Sequence, residues 1–204
     1  MTTETVKDGQ LRMDLENKGG VNRRRRIFLD TETTGMNKYS DRIVEVCCIE
    51  VDEHLKEVAN YHAYINPQRD VPWFVRKIHG LDNKFLADKP TFREIGCDLI
   101  LFLEGAELYA HNMAFDSSML DAELKRNGFP TLSEADCSLK CTVKMARSLF
   151  PGQKNSLDAL LDRFNIDRTC RKYHGAMIDT RLLVDVYQNL EAISCARVQN
   201  KKTN

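Results

Sequence analysis

Five side chains in this 204-residue sequence are of the kinds that hold divalent cations and move protons. Asp30 and Glu32 stand one residue apart at the end of an apolar run, Ile27-Phe28-Leu29. Strand side chains repeat every two residues, so the two carboxylates share one side, where they repel unless a cation lies between them. Asp116 follows Ala110-His111-Asn112 and opens a helical pattern, and His174 and Asp179 complete the set with Gly175 between them. Taken singly, each has an ordinary reading: a polar strand end, a first-turn acid that suits the helix dipole, a surface histidine. Taken together, four carboxylates at strand ends and helix starts make a hard, oxygen-rich site suited to Mg²⁺ or Mn²⁺. Enzymes that cleave phosphodiesters commonly hold two such ions about 4 Å apart. A histidine that titrates near neutrality is the matching base for an attacking water. The other histidines fit less well: His54 and His62 show no acid partner, and His111 reads either as structural or as cleft lining.

These residues need particular elements to bring them together. "RIFLDTET" (26–33), "RIVEVCCIEV" (42–51) and "NYHAYINP" (60–67) are β-type runs between short polar turns, which predicts an antiparallel meander. Phe92, Ile95, Leu99, Phe102 and Leu103 recur at helical spacing, and Gly105 closes that helix. "AELYAHN" (106–112) is expected as a fourth strand, and beside the first it would bring Asp116 to Asp30. The next helix carries Phe115, Met119, Leu120 and Leu124 and stops at Gly128 and Pro130. "SLKCTV" (138–143) reads as an edge strand, with helices over 143–150 and 155–166, the latter capped by Asn155 or Ser156. The last helix is expected from about Asp179 to Ile193, with Gly175 keeping His174 in a loop that faces the same cleft. The fold class is therefore α/β, one mixed five-stranded sheet flanked by helices. It occupies 23–193, between a polar N-terminal tail (1–22) and a short C-terminal tail (194–204).

Hydrophobic residues make up 42% and charged residues 29%, an ordinary profile for one globular domain. The formal net charge is zero, which argues against a general polyanion binder and leaves room for an enzyme with a locally basic cleft. No apolar run reaches the length of a membrane span, and the N-terminus lacks the apolar core of a signal peptide. Seven scattered cysteines without paired metal-ligand spacing are expected as free thiols, which implies a cytoplasmic protein. Arg23–Arg26 read either as a solvated strand start or as a phosphate contact.

"FLDTETTGMN", "AHNMAFD" and "HGAMID" resemble, in order, the three motifs of the DEDDh branch of the ribonuclease H-like 3′→5′ exonucleases. The likeness extends through "RIVEV", "IHGL", "DKPTF" and "FPGQKNSLDALLDRFNID" over roughly 26–190, and is greatest to the epsilon-type proofreading subunits of bacterial DNA polymerase III. It implies a ribonuclease H-like fold and a nuclease that releases nucleoside 5′-monophosphates from single-stranded DNA 3′ ends with two Mg²⁺ or Mn²⁺ ions. It also implies that Asp30, Glu32 and Asp179 hold the first ion, that Asp116 supports the second, and that His174 is the base. Glu32, Thr33, His79, Asn112 and Phe115 would line the nucleotide pocket. A DNA polymerase catalytic subunit is the implied partner, but the fourteen residues after Leu190 read as a helix end rather than a clamp-binding motif and docking tail. Two competing readings are a polymerase-independent exonuclease that trims RNA or short oligonucleotides, and a binding module without catalysis. The latter would lack an acid or the histidine, and all five are present.

Overall fold

A computed structural model describes residues 24–169 and 173–202. The N-terminal tail, Arg23 and Cys170 lie outside the described residues. The meander is β1 (Arg26–Thr33), β2 (Ile43–Val51) and β3 (Glu57–Tyr64), with both pairings antiparallel. β3 begins three residues earlier than the sequence suggested. Asp52 explains the shift: its Oδ1 accepts from the His54 and Lys56 N–H groups, tightening the turn so that pairing resumes at Glu57. Two short helices follow, α1 (Trp73–His79) and α2 (Asn83–Leu86), then α3 (Phe92–Leu103) behind a capping box of Thr91 and Glu94.

β4 (Glu107–Ala110) lies parallel to β1 and leads into α4 (Met113–Arg126). β5 (Ser138–Cys141) is the edge strand beyond it, giving the order β3-β2-β1-β4-β5. α5 (Thr142–Leu149) and α6 (Leu157–Phe164) precede α7 (Ala176–Lys202). Ser156 is the cap of α6, its Oγ accepting from the Ala159 N–H. α7 is longer at both ends than its apolar stripe implied, running through residues read as the C-terminal tail.

β1 is buried on both faces, as a central strand must be. Ile27 and Leu29 pack with α3 and α4 residues such as Leu99, Leu103 and Leu120, while Phe28 packs with Leu183 and Tyr187 of α7. The Phe28 ring stacks on Tyr109 at 4.8 Å and meets the edge of Tyr187 at 5.1 Å. Such aromatic pairs contribute about 0.5–1.5 kcal/mol each beyond the area they bury. The described arginines at the strand's other end, Arg24 to Arg26, make structural pairs and turn away from the acids, with Arg24 and Arg25 still partly exposed to solvent. Arg24 pairs with Asp136, Arg25 joins Glu50 to the Phe102 and Glu104 carbonyls at the end of α3, and Arg26 reaches the Asp52 carbonyl and Glu191. They staple the start of β1, four residues and about 13 Å from Asp30. Among the described residues, no helix is long and apolar enough to cross a membrane.

Candidate active site

The site forms where β1 ends, beside the starts of α4 and α7, the place where open α/β sheets gather their chemistry. Asp30 faces Cys47 and Glu32 faces Glu45 across the β1–β2 ladder, so the two acids do share one side. The register shifts between Glu32 and Thr33, a bulge that re-aims the chain into the Thr-Thr-Gly turn. Asp41 organises that turn: it accepts from the Thr34 hydroxyl and the Asn37 N–H. A Cβ at Gly35 would stand 2.5 Å from its Oδ2, so only glycine fits beneath this carboxylate. Thr33 is buried, its hydroxyl donating to the Gly35 carbonyl.

The parallel pairing of β4 with β1 brings Asp116, in the first turn of α4, under the same strand. The Thr31 hydroxyl donates to Asp116 Oδ1 at 2.9 Å. Burial pushes the Asp116 carboxyl up to about 7, although the Thr31 bond opposes the shift. Asp30 is held well above the usual carboxylate range, first by burial and then by the charges of Asp116, Glu32, Asp179 and Glu45. On α7, the Asp179 N–H closes the first turn on the Gly175 carbonyl, leaving His174 just outside the helix. His174 Nδ1 lies 3.2 Å from Asp179 Oδ2. Ligand atoms of Glu32, His174 and Asp179 all fall within 4.8 Å of one another. Carboxylates that keep their protons through burial, and at Asp30 also through neighbouring charge, are what a divalent cation relieves, and the donor set of oxygens suits Mg²⁺ or Mn²⁺. All five residues singled out in the sequence thus meet at one end of the sheet.

The nucleotide-pocket candidates are placed less uniformly. His79 is buried at the end of α1, and burial pulls its imidazole down toward the neutral form. Its Nδ1 accepts from the Leu81 N–H, so Nε2 carries the proton. That N–H faces the Thr33 carbonyl without closing a bond of good geometry. Asn112 is exposed at the start of α4, and Phe115 is half-buried against the core beneath the sheet. His111 is structural, tied to the Thr142 hydroxyl and the Asn155 carbonyl.

His62 corrects the sequence reading, because it has an acid partner. Its Nε2 lies 2.8 Å from Oε1 of Glu45, which is 2% exposed. Glu45 Oε2 accepts from the Ala176 N–H at 3.1 Å, holding the first residue of α7 between His174 and Asp179. A fifth carboxylate therefore sits under the site. Its signal was present in "RIVEV": an acid within an apolar strand needs a buried partner, and His62 lies on the neighbouring strand.

With that geometry, comparisons with known proteins become decisive. Residues 27–187 match the family described as Exonuclease (RNase_T). The chain belongs to the exonuclease family. DNA polymerase III subunit epsilon of Rickettsia conorii is 44% identical over 170 residues, covering 81% of this chain and 73% of that protein. The same subunit of Pasteurella multocida is 42% identical over 168 residues, covering 80% and 66%, and that of Escherichia coli is 39% identical over 170 residues, covering 80% and 70%. This exonuclease chain therefore spans about two thirds to three quarters of the length of those relatives. The fold is shared with E. coli exonuclease I in complex with a dT13 oligonucleotide, at a TM-score of 0.75 and 15% identity over 87% of this chain and 43% of that one. It is shared too with a zinc-bound E. coli exonuclease I–single-stranded DNA complex, at a TM-score of 0.71 and 16% identity over 81% and 40%.

Proposed function

We propose that this chain is a metal-dependent 3′→5′ exonuclease that removes nucleoside 5′-monophosphates from DNA 3′ ends in the proofreading manner of the epsilon subunits. The observation that carries it is the convergence of Asp30, Glu32, Asp116, Asp179 and His174 at one strand end of an exonuclease-family domain. Asp30, Glu32 and Asp179 would hold one Mg²⁺ or Mn²⁺ ion, and Asp116 would support a second partly through water. Bound there, such ions acidify water and stabilise an oxyanion leaving group. Thr33 and the neutral, donating His79 would seat the terminal nucleotide, with Glu32, Asn112 and Phe115 along its pocket. His174 takes the proton of the attacking water, the water oxygen bonds to phosphorus, and the bond to the 3′-oxygen breaks. In the structure its imidazole leans on Asp179, which orients the ring and leaves it half-exposed toward the cleft. The names of the relatives point to a DNA polymerase catalytic subunit as partner, and the free cysteines Cys47, Cys48, Cys97, Cys137, Cys141 and Cys195 suit a reducing cytoplasm.

The test offers single-stranded DNA, a mismatched primer–template and RNA of matched sequence, with Mg²⁺, Mn²⁺ or EDTA. Stepwise release of 5′-mononucleotides from DNA is expected, with loss in EDTA and in Asp30→Asn. His174→Ala should lower kcat by roughly 10²–10⁴-fold while calorimetry still detects divalent-ion binding. Activity that persists in EDTA overturns the reading.

A further inference from the structure

This chain has no net charge, yet its cations are not spread evenly. Beside α4 lies a groove of about 670 Å³ lined by Lys38, Tyr39, Ser117, Ser118, Lys125 and Arg126. It begins at Ser117, the neighbour of Asp116. It ends at Arg126, which also lines a second cleft of about 230 Å³ containing Arg42, Arg69 and Arg93. Six cationic side chains thus line two adjoining clefts that share Arg126, the first opening in the early turns of α4 that also carry Asp116 on their buried face. Lys125 and Arg126 stand nine and ten residues beyond Asp116 on α4, about 14–15 Å along the helix.

The acids on this path are already engaged. Asp121 accepts from the Leu132 N–H, and the buried Glu123 takes the Ile43 N–H and Arg126. Asp41 takes Arg69, which also donates to the Ser40 carbonyl. The guanidiniums of Arg42, Arg126 and Arg69 crowd one another, so that burial and then Arg126 pull the Arg42 pKa down. Arg93 is exposed with no ion-pair partner among the described residues. Surplus cations held close together in a cleft are an anion site awaiting its anion. At the centre of the path Tyr39 is 81% exposed, with Lys38 Nζ 5.3 Å from its ring centroid. A cationic groove that carries an open aromatic ring is the pattern that holds single strands, by phosphate contacts and base stacking.

We infer that the groove along α4, from Ser117 through Lys38, Tyr39 and Lys125 to the arginine cleft at Arg42, Arg69, Arg93 and Arg126, binds the sugar–phosphate backbone of the DNA strand upstream of its 3′ end. This rests on the exonuclease reading for the direction of the strand, with the 3′ terminus lying toward the acids beyond the Ser117 end of the groove. It makes the chain grip several nucleotides rather than the terminal one alone. The bond between Arg42 and the Thr-Thr-Gly turn, through the Thr34 N–H to its carbonyl at 2.8 Å, ties the far cleft to the nucleotide seat.

The test measures binding, which needs no cleavage. A fluorescent thymidine oligonucleotide is titrated by anisotropy in EDTA over a range of salt, against the wild type and Lys38→Gln/Lys125→Gln. Both lysines are exposed, and neither pairs with a buried acid. The double variant is expected to bind more weakly and to lower the salt-dependence slope by roughly 0.7 for each single-strand contact removed. Tyr39→Ala should weaken binding on the order of ten-fold with the slope unchanged, as loss of a stacked base requires. Lys56→Gln/Lys84→Gln, which removes equal charge elsewhere, should leave affinity and slope as they are. An equal slope in the track and control variants overturns the inference. So does polyglutamate that competes as well as DNA at equal charge, which would mark an acidic protein as the occupant. Wild-type binding with the expected slope changes but no cleavage when Mg²⁺ is added would instead overturn the exonuclease reading and uphold the track.

Discussion

At the scale of single residues, Glu45 has the most to explain. A carboxylate 2% exposed on a central strand is costly unless its oxygens are taken up, and here one meets His62 and the other the Ala176 N–H. That second bond fixes the start of α7 from below, while the His174 N–H is fixed from the side by the Ile78 carbonyl at 3.1 Å. Glu45→Ala is expected to lower kcat about ten-fold or more, in line with the misplacement of a catalytic group, with KM for DNA little changed. Glu45→Gln keeps an oxygen for the Ala176 N–H and should recover most of that loss; equal kcat in the two variants would refute the positioning role. The five polar residues that meet at the end of β1 were legible in the sequence because each stands at an element's edge, where motif spacing carries information. Glu45 left a signal, an acid within an apolar strand, but its bond to His62 was not legible, because that pairing depends on strand register.

At the scale of elements, the sheet order matters more than any one strand. β4 beside β1 is what turns Asp116 from a first-turn acid into a site residue, and the sequence could only state that as a condition. The start of α6 was legible as a cap at Asn155 or Ser156, and Ser156 is the cap, whereas the capping box of Thr91 with Glu94 was not read from the sequence. The extension of α7 to Lys202 was not legible, since its last turns lack the apolar stripe on which the reading relied. Packing between elements sets a further demand that sequence does not reveal. Gly96 of α3 lies against the ring of Phe129, and a Cβ there would be 2.3 Å from its Cε2. Gly96 is helical, so alanine should help by propensity; the collision says otherwise. Gly96→Ala is expected to destabilise by roughly 1–3 kcal/mol through overpacking, read as a lower denaturation midpoint with unchanged slope. A stabilised variant would mean that Phe129 swings away at little cost.

At the scale of the whole molecule, the acids gathered at one end couple folding to protons and to metal. Without a cation, the folded chain holds protons on Asp30 and Asp116 more tightly than the unfolded chain does, whose carboxyls titrate near 3.8. A raised folded-state pKa stabilises fully below the unfolded value, and that contribution is lost as pH rises through the folded value, about 7 for Asp116. Surface acids act in the opposite sense: Asp52, Glu94 and Asp167 are held low chiefly by backbone N–H groups, so their stabilisation is lost as pH falls. In EDTA, Tm should therefore peak on the mildly acidic side and fall as pH climbs toward 8. Asp116→Asn, which removes one of the two protons concerned, should flatten that fall and raise Tm at pH 8 above the wild type. Mg²⁺ or Mn²⁺ should reverse it, because an ion binds the deprotonated carboxylates of the folded state. At a hundred-fold excess over Kd the gain is about 2.7 kcal/mol, on the order of 5–10 °C for a chain of this size. Protons compete for the same oxygens, so the metal-induced rise should shrink as pH drops below about 7, and calorimetric scans with and without ion across that range measure it. A metal-free Tm that increases steadily from pH 5 to 8 would show that the acids are not buried and crowded enough to hold protons, and would remove the electrostatic reason for a cation between them.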